Sequence, residues 1–120
     1  KMIQEYLKGD LIYVELPSVG GSIQSGKRPC IVVSNNVCNK YSPVITIVPL
    51  TSRKKHEIPT HVHLKSKDVF DMQNANIKDS TILCEQIITI PKDSIVPGRA
   101  KIKPHVLKSI NEALAVQLNL

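Results

Sequence analysis

Asp10-Leu11-Ile12-Tyr13-Val14-Glu15-Leu16 alternates along its length, with Ile12, Val14 and Leu16 on one face and Tyr13 and Glu15 on the other, and Pro17 ends it. That is the period of a half-buried β-strand. Downstream, Ser18 to Arg28 holds three of the five glycines among Ser and Gln residues and shows no apolar period, so a long mobile loop is expected there. Cys30 to Val33 and Val44 to Val48 are short β-branched runs punctuated by Pro29 and Pro49, which reads as two core strands. Thr60 to Leu64 alternates again, with Thr60, Val62 and Leu64 opposite His61 and His63. Thr81 to Ile90 is one long apolar run interrupted by Glu85 and Gln86.

The period changes near the C-terminal end. Leu107, Ile110, Leu114 and Leu118 recur at helical spacing after Pro104, a residue suited to a first helical turn, so an amphipathic helix with these four in its core is expected. Several short strands followed by one helix predict a mainly β fold, a small, strongly twisted β-barrel with appended helices. At 120 residues without repeats or linker-like tracts, the chain suits one domain spanning 1–120. No apolar run approaches the roughly 18 to 20 residues of a membrane span and the start lacks a signal-peptide layout, so a soluble cytoplasmic protein without a membrane partner is expected.

Charge is unevenly distributed. The 36 residues from Gly21 to His56 contain six cations (Lys27, Arg28, Lys40, Arg53, Lys54, Lys55) and no acid, which accounts for the whole net charge of +6. A cationic excess confined to one segment points to a polyanion: nucleic acid, an acidic protein segment or an anionic surface. Solvated loops are the plain alternative. With Tyr6, Tyr13, Tyr41 and Phe70 as the only aromatics, stacking platforms are scarce. A nucleic-acid reader built here would work through phosphate charge and polar base-edge contacts, for which Gln24, Asn35, Asn36 and Asn39 are placed.

Cys30, Cys38 and Cys84 are an odd number at spacings that fit neither a disulfide framework nor a metal pair, and Cys30 and Cys84 read as small buried hydrophobes. There is no HExxH, P-loop or GxSxG, and His56, His61, His63 and His105 lack ligand partners at metal spacing, so no metal or cofactor is expected. His61 and His63 share a strand face; an acid/base pair or two ligands is one reading, and an exposed polar strand edge is the favoured one.

Seven tags then fall in order: Gly9-Asp10-Leu11-Ile12-Tyr13, Gly26-Lys27-Arg28-Pro29, Ser34-Asn35-Asn36, Asn39-Lys40-Tyr41-Ser42-Pro43, Pro49-Leu50-Thr51-Ser52, Pro59-Thr60-His61-Val62 and Glu85-Gln86-Ile87. In order and spacing they resemble the MazF/PemK toxins, the endoribonuclease halves of bacterial toxin–antitoxin pairs, over about Gly9 to Leu118. The resemblance implies an SH3-like barrel shared with CcdB toxins, a homodimer, a cognate antitoxin, and metal-independent cleavage of single-stranded RNA, including mRNA, at short sequences. It carries family catalysis onto Arg28 and Thr51, whose plain alternatives are a surface ion pair and a turn cap. Ile23, Ser25-Gly26 and Ile88 depart from the family's usual residues, which bears on the RNA sequence cut rather than on the reaction.

RNA brings its own nucleophile, the 2′-OH, so such a site needs only groups that move protons and stabilise a doubly charged phosphorane. The Arg28 fork suits that task, and the Thr51 hydroxyl can donate to a phosphate oxygen or orient the 2′-OH. The expected RNA contacts are Gln24, Lys27, Asn35, Asn36, Ser52, Arg53, Lys54, Lys55, Glu85 and Gln86. For Glu85 three roles stand open: orienting Arg28, accepting from a base amine, or a structural hydrogen bond. Two other classes compete, a CcdB-like gyrase-binding toxin and a non-catalytic nucleic-acid-binding barrel. Against the first, the chain has no Trp and ends Leu118-Asn119-Leu120.

Overall fold

The computed structural model describes residues 5–120; the first four residues of the expected 1–120 domain lie outside the described residues. In chain order the elements are β1 (Asp10–Leu16), β2 (Gly26–Val32), α1 (Asn36–Tyr41), β3 (Val44–Thr51), β4 (His61–Leu64), β5 (Val69–Gln73), β6 (Ser80–Leu83), β7 (Ile88–Pro91), β8 (Ile95–Ile102) and α2 (Pro104–Leu118). The antiparallel sheet runs β4-β6-β3-β2-β1-β8-β5, with β7 also on β3. It curls so that both faces of its centre are covered. Leu11, Ile31, Val48, Leu50, Ile82 and Ile102 pack beneath Val106, Ile110 and Ala113 of α2. On the other face Ile12, Val14, Leu16, Cys30, Val32, Ile45, Ile47 and Ile90 form a second cluster. The mainly β, curled fold with one long C-terminal helix is the one the sequence predicts.

Several boundaries differ for identifiable reasons. β1 is buried on both faces over its first half rather than half-buried, because it lies between β2 and β8 and Leu11 enters the core under α2. Pro29 and Pro49 do not punctuate strands; they lie inside β2 and β3. On the edge of β3 away from β2, Val44 to Ile47 pair with β7 and Leu50 to Thr51 pair with β6, so Pro49, which has no N–H, falls in the handover between two partners.

The expected single run Thr81 to Ile90 is two strands. Between Ile47 and Leu50 of β3 lie two residues, whereas between their partners Ile88 and Ile82 lie five, so the opposing chain carries three extra residues. These bulge outward as a turn containing Glu85 and Gln86. β8 evaded the period-2 pattern because it too is bulged: Ile12 pairs with Arg99 and Tyr13 with Val96, and Pro97-Gly98 are looped out. Gly98 has φ +121, and a Cβ there would lie 2.6 Å from Tyr13 Cδ1, so only glycine fits.

α2 starts with Pro104 in its first turn and stops at Asn119, which adopts the left-handed conformation. Of the four expected core leucines and isoleucine, only Ile110 is fully buried. Leu107 and Leu114 are partly buried against the core, and Leu118 is 55 % exposed. The buried stripe is Val106, Ile110 and Ala113, which lies about one position off the leucine stripe.

Candidate active site

Pairing places four polar residues in one lateral row. The β2–β3 ladder joins Cys30 to Pro49, Ile31 to Val48 and Val32 to Ile47, and Arg28 and Thr51 lie two residues beyond its end pair, Cys30 and Pro49, on the same face as that pair. Thr51 pairs with Thr81 on β6, and Thr81 pairs with His63 on β4. Directly opposed residues share a face, as do residues two apart on one strand, so Arg28, Thr51, Thr81 and His63 lie on one side of the sheet.

Arg28 is half-buried. Its Nε donates to the Ser25 carbonyl at 3.0 Å, and among the described residues its terminal nitrogens have no hydrogen-bond partner. Thr51 is 2 % exposed, and its Oγ1 accepts from the Arg53 backbone N–H at 3.2 Å. That bond ties the start of the β3–β4 connection and leaves the Thr51 hydroxyl proton available to donate.

Three clefts meet here. One of about 310 Å³ is lined by Ser22, Gln24, Ser25, Arg28, Arg53 and Lys55. A larger one of about 630 Å³ is lined by Thr51, Arg53, Lys54, Lys55, Glu57, His63, Lys65, Asp79 and Thr81. Arg53 and Lys55 stand in both, as the ridge between Arg28 and Thr51. The third, about 220 Å³, takes in Tyr13, Arg28, Ser52, Asn76, Lys78 and Ser80. Five further cations, Arg53, Lys54, Lys55, Lys65 and Lys78, therefore surround the row against Glu57 and Asp79. The Ser66 backbone N–H, donating to Asp79 at 2.8 Å, holds that carboxyl below its ordinary range, so it stays ionised.

The basic segment is only partly gathered. Lys27 is exposed, its Nζ 5.6 Å from the Tyr13 ring centre. Lys40 sits on α1 with its Nζ 5.4 Å from the Tyr41 ring. Sequence reading missed Lys65 and Lys78, which lie outside the basic stretch and reach the clefts through β4 and the β5–β6 connection. The asparagines lie past the opposite end of β2 from Arg28. Asn35 caps α1, accepting from Cys38 N–H at 2.8 Å, and Asn36 Oδ1 accepts from Lys8 N–H at 2.7 Å. Asn39 is buried and donates to the Ser34 carbonyl at 2.9 Å. The structure does not bring them to Arg28.

Glu85 does not orient Arg28. Its carboxylate accepts from Thr60 Oγ1 at 3.1 Å and meets His61 Nε2 at 3.0 Å. His61 is therefore not on an exposed polar edge: its side chain is 6 % exposed, whereas that of His63, which contacts Glu57, is 59 % exposed. Gln86 is turned toward the β1–β2 connection, where its Oε1 accepts from Gln24 N–H at 3.0 Å and its Nε2 donates to the Ser22 carbonyl at 3.1 Å. Cys30 and Cys84 are buried as expected, and burial pushes both thiols up to about 12. Among the described residues no group of three or more His, Cys, Asp or Glu is placed to hold a metal ion, and no helix is long and apolar enough to cross a membrane.

Comparison with known proteins gives the same fold and the same residues a context. A family profile described as PemK-like, MazF-like toxin of type II toxin-antitoxin system matches residues 7–118. The Endoribonuclease MazF of Staphylococcus saprophyticus is 37 % identical over 115 residues, covering 94 % of this chain and 91 % of the relative. Among solved structures, MazF from Deinococcus radiodurans superposes with a TM-score of 0.77 at 21 % identity, covering 98 % of this chain and 100 % of that one. An endoribonuclease in complex with its cognate antitoxin from a mycobacterial species gives 0.73 at 25 % identity over 96 % of both chains. A profile that spans nearly the whole chain and a relative aligned over most of both lengths agree, and the chain belongs to the PemK/MazF family of type II toxin–antitoxin toxins.

Proposed function

We propose that this chain, an endoribonuclease of the MazF kind, cuts single-stranded RNA at short preferred sequences without metal, through attack of the substrate's own 2′-OH on the adjacent phosphate. The observation that carries the reading is that Arg28 and Thr51, each two residues beyond the paired Cys30 and Pro49, share one face of the sheet beside a basic rim. The 2′-OH gives its proton to solvent as its oxygen bonds to phosphorus, the bond from phosphorus to the 5′-oxygen then breaks, and between the two steps the equatorial oxygens carry the extra charge. The unpartnered terminal nitrogens of Arg28 face that charge as a planar fork. The guanidinium acts as a donor and not as a base; it protonates the departing 5′-oxygen and recovers that proton from solvent. The Thr51 hydroxyl, its oxygen fixed by the Arg53 N–H, donates to a phosphate oxygen. The products are a 2′,3′-cyclic phosphate and a 5′-OH.

Arg53, Lys54 and Lys55 track the RNA backbone beside the row, with Gln24 and Ser52 at the clefts around Arg28 and Lys27 outside them beside Tyr13. The antitoxin occupies the same basic clefts with an acidic segment, and the toxin works as a homodimer.

Incubating the protein with long single-stranded RNA in excess chelator, and mapping the ends, tests the reaction. Cleavage is expected to persist and leave the two stated ends, and a 2′-deoxy substitution at the cut position should bind and stay intact. Activity lost on chelation and restored by a divalent ion would overturn it. Light scattering on the same sample should give twice the mass of one chain; a single-chain mass at micromolar concentration would contradict the dimer.

A further inference from the structure

The three extra residues between β6 and β7 look like an irregularity of the sheet, yet the bulge they form is where both segments flanking Arg28 are fastened. Gln86 stands at its tip, fixed by its own backbone N–H donating to the Leu83 carbonyl at 3.0 Å. Its side-chain amide uses both ends on the β1–β2 connection, accepting from Gln24 N–H at 3.0 Å and donating to the Ser22 carbonyl at 3.1 Å. The amide thereby does for this stretch what a neighbouring strand does for a ladder. One residue further on, the Ser25 carbonyl accepts from Arg28 Nε at 3.0 Å.

Little else fixes that stretch. Gly20 and Gly21 are both at positive φ with nothing within 4 Å of where a Cβ would sit, and Val19 and Ile23 are exposed. Among the described residues, the hydrogen bonds tying residues 17–25 to other parts of the fold are the two from Gln86 and the one from Arg28. An arginine side chain holds one orientation only when something fixes it, and here the Ser25 carbonyl fixes Nε.

We propose that Gln86 is a positioning residue for the catalytic arginine: it clamps Ser22 and Gln24, the clamped segment holds the Ser25 carbonyl in place, and that carbonyl aims the Arg28 guanidinium. The inference rests on the assignment of Arg28 above. Gln86 does not touch the reacting atoms, and its amide, already committed to Ser22 and Gln24, is not a base reader in this arrangement. The neutrality of the clamp matters: an acid in its place would compete with phosphate for Arg28, whereas an amide fixes the backbone without adding charge.

Two variants test this. Gln86→Ala removes the clamp, and Gln86→Glu keeps the acceptor for Gln24 while losing the donor to Ser22, so it serves if the alanine variant folds poorly. Both should lower kcat about tenfold or more with KM within about twofold, as misplacement of a group that acts in the transition state does. In nuclear magnetic resonance spectra of the unliganded protein, solvent exchange at the Gln24 amide and at Arg28 Nε–H should rise in Gln86→Ala. In an Arg28→Lys background, which has no Nε fork to aim, Gln86→Ala should cost less than about twofold more.

Unchanged exchange at both protons, or an equal loss of kcat in the lysine background, would overturn the clamp. A change in the RNA sequence cut, or a rise in KM with kcat intact, would instead make Gln86 a direct RNA contact and also overturn it. Arg28→Lys with wild-type kcat would refute the Arg28 assignment, while the exchange measurements would still report whether Gln86 holds the segment.

Discussion

The two connections that flank Arg28 differ in how they are charged and how they are held. Residues 17–25 contain no charged side chain and are fastened along their backbone, by Gln86 at Ser22 and Gln24 and by Arg28 at Ser25. Residues 52–60 contain Arg53, Lys54, Lys55 and Glu57 and, among the described residues, are fastened near their ends and through the side-chain contact of Glu57 with the exposed His63. Thr51 accepts from Arg53 N–H at one end, and at the other Thr60 donates to Glu85 at 3.1 Å while its carbonyl accepts from Cys84 N–H at 3.1 Å. One connection sets geometry and the other supplies field. A neutral tether is compatible with an anionic ligand arriving beside it, because no ion pair has to be broken to admit a phosphate. The charged connection works the other way, since cations left without carboxylate partners are available to the backbone of an RNA strand.

The largest effect should come from the residue that both connections serve. Arg28→Lys keeps the charge but replaces a planar fork with a point donor, and kcat/KM should fall about 10²- to 10³-fold, the usual cost of removing a donor aimed at transition-state charge. The melting temperature should stay near wild type, because Arg28 is half-buried and makes one hydrogen bond in the described fold. Thr51→Val removes a buried hydroxyl that also accepts from Arg53 N–H, so it should lose activity and about 1 kcal/mol of stability together. Steady-state kinetics with melting curves on the two variants check this; an active Arg28→Lys enzyme would remove the centre of the comparison.

Legibility in the sequence follows the same division. β1 matches its expected bounds residue for residue, though not the half-burial read from its alternation, and Pro104 opens α2, because period and capping are local properties that an unaided reading captures. Arg28 and Thr51 stood out through tags, and the register that brings them to one face depends on β2 and β3 pairing residues 15 to 19 apart in the chain, which no local pattern states. The bulges were illegible for a different reason. The run Thr81 to Ile90 is apolar apart from Glu85 and Gln86, and nothing in it shows that its opposing strand is three residues shorter. Without that, Glu85 and Gln86 read as interruptions of a strand and as RNA contacts, and their fastening of two connections could not be inferred. Asn35 read only as an RNA contact, and its cap on the short α1 emerged from the fold.

A smaller, salt-dependent effect separates field from geometry. Replacing Lys54 and Lys55 together with Gln should leave the cut sequence unchanged and flatten the plot of log K against log[salt] for an uncleavable RNA by about 1.4, at roughly 0.7 per phosphate no longer neutralised. Binding titrations from low to moderate salt measure it. An unchanged slope would mean that the charged connection is merely solvated, and the contrast with residues 17–25 would then be one of sequence alone.

The smallest effect concerns whether the bulge is as firm as the strands around it. Cys30 lies within β2, and Cys84 lies in the bulge, its N–H donating to the Thr60 carbonyl. Burial is the main cause that pushes each thiol from 9.0 up to about 12, with the Glu85 charge adding at Cys84 and Arg28 pulling back at Cys30. A folded pKa above the unfolded one means that the unfolded chain binds fewer protons between about pH 9 and 12. The stabilisation is therefore full below about pH 9 and is lost as pH rises through that window. At pH 8 only about one buried thiol in 10⁴ is ionised, so native alkylation should fall on the exposed Cys38, with Cys30 and Cys84 reacting at one common slow rate set by global unfolding. Peptide mass spectrometry over an alkylation time course reads the three rates. Faster modification of Cys84 than of Cys30 would show that the bulge opens on its own, and a fastening point that opens by itself could not hold the two flanking connections to one geometry.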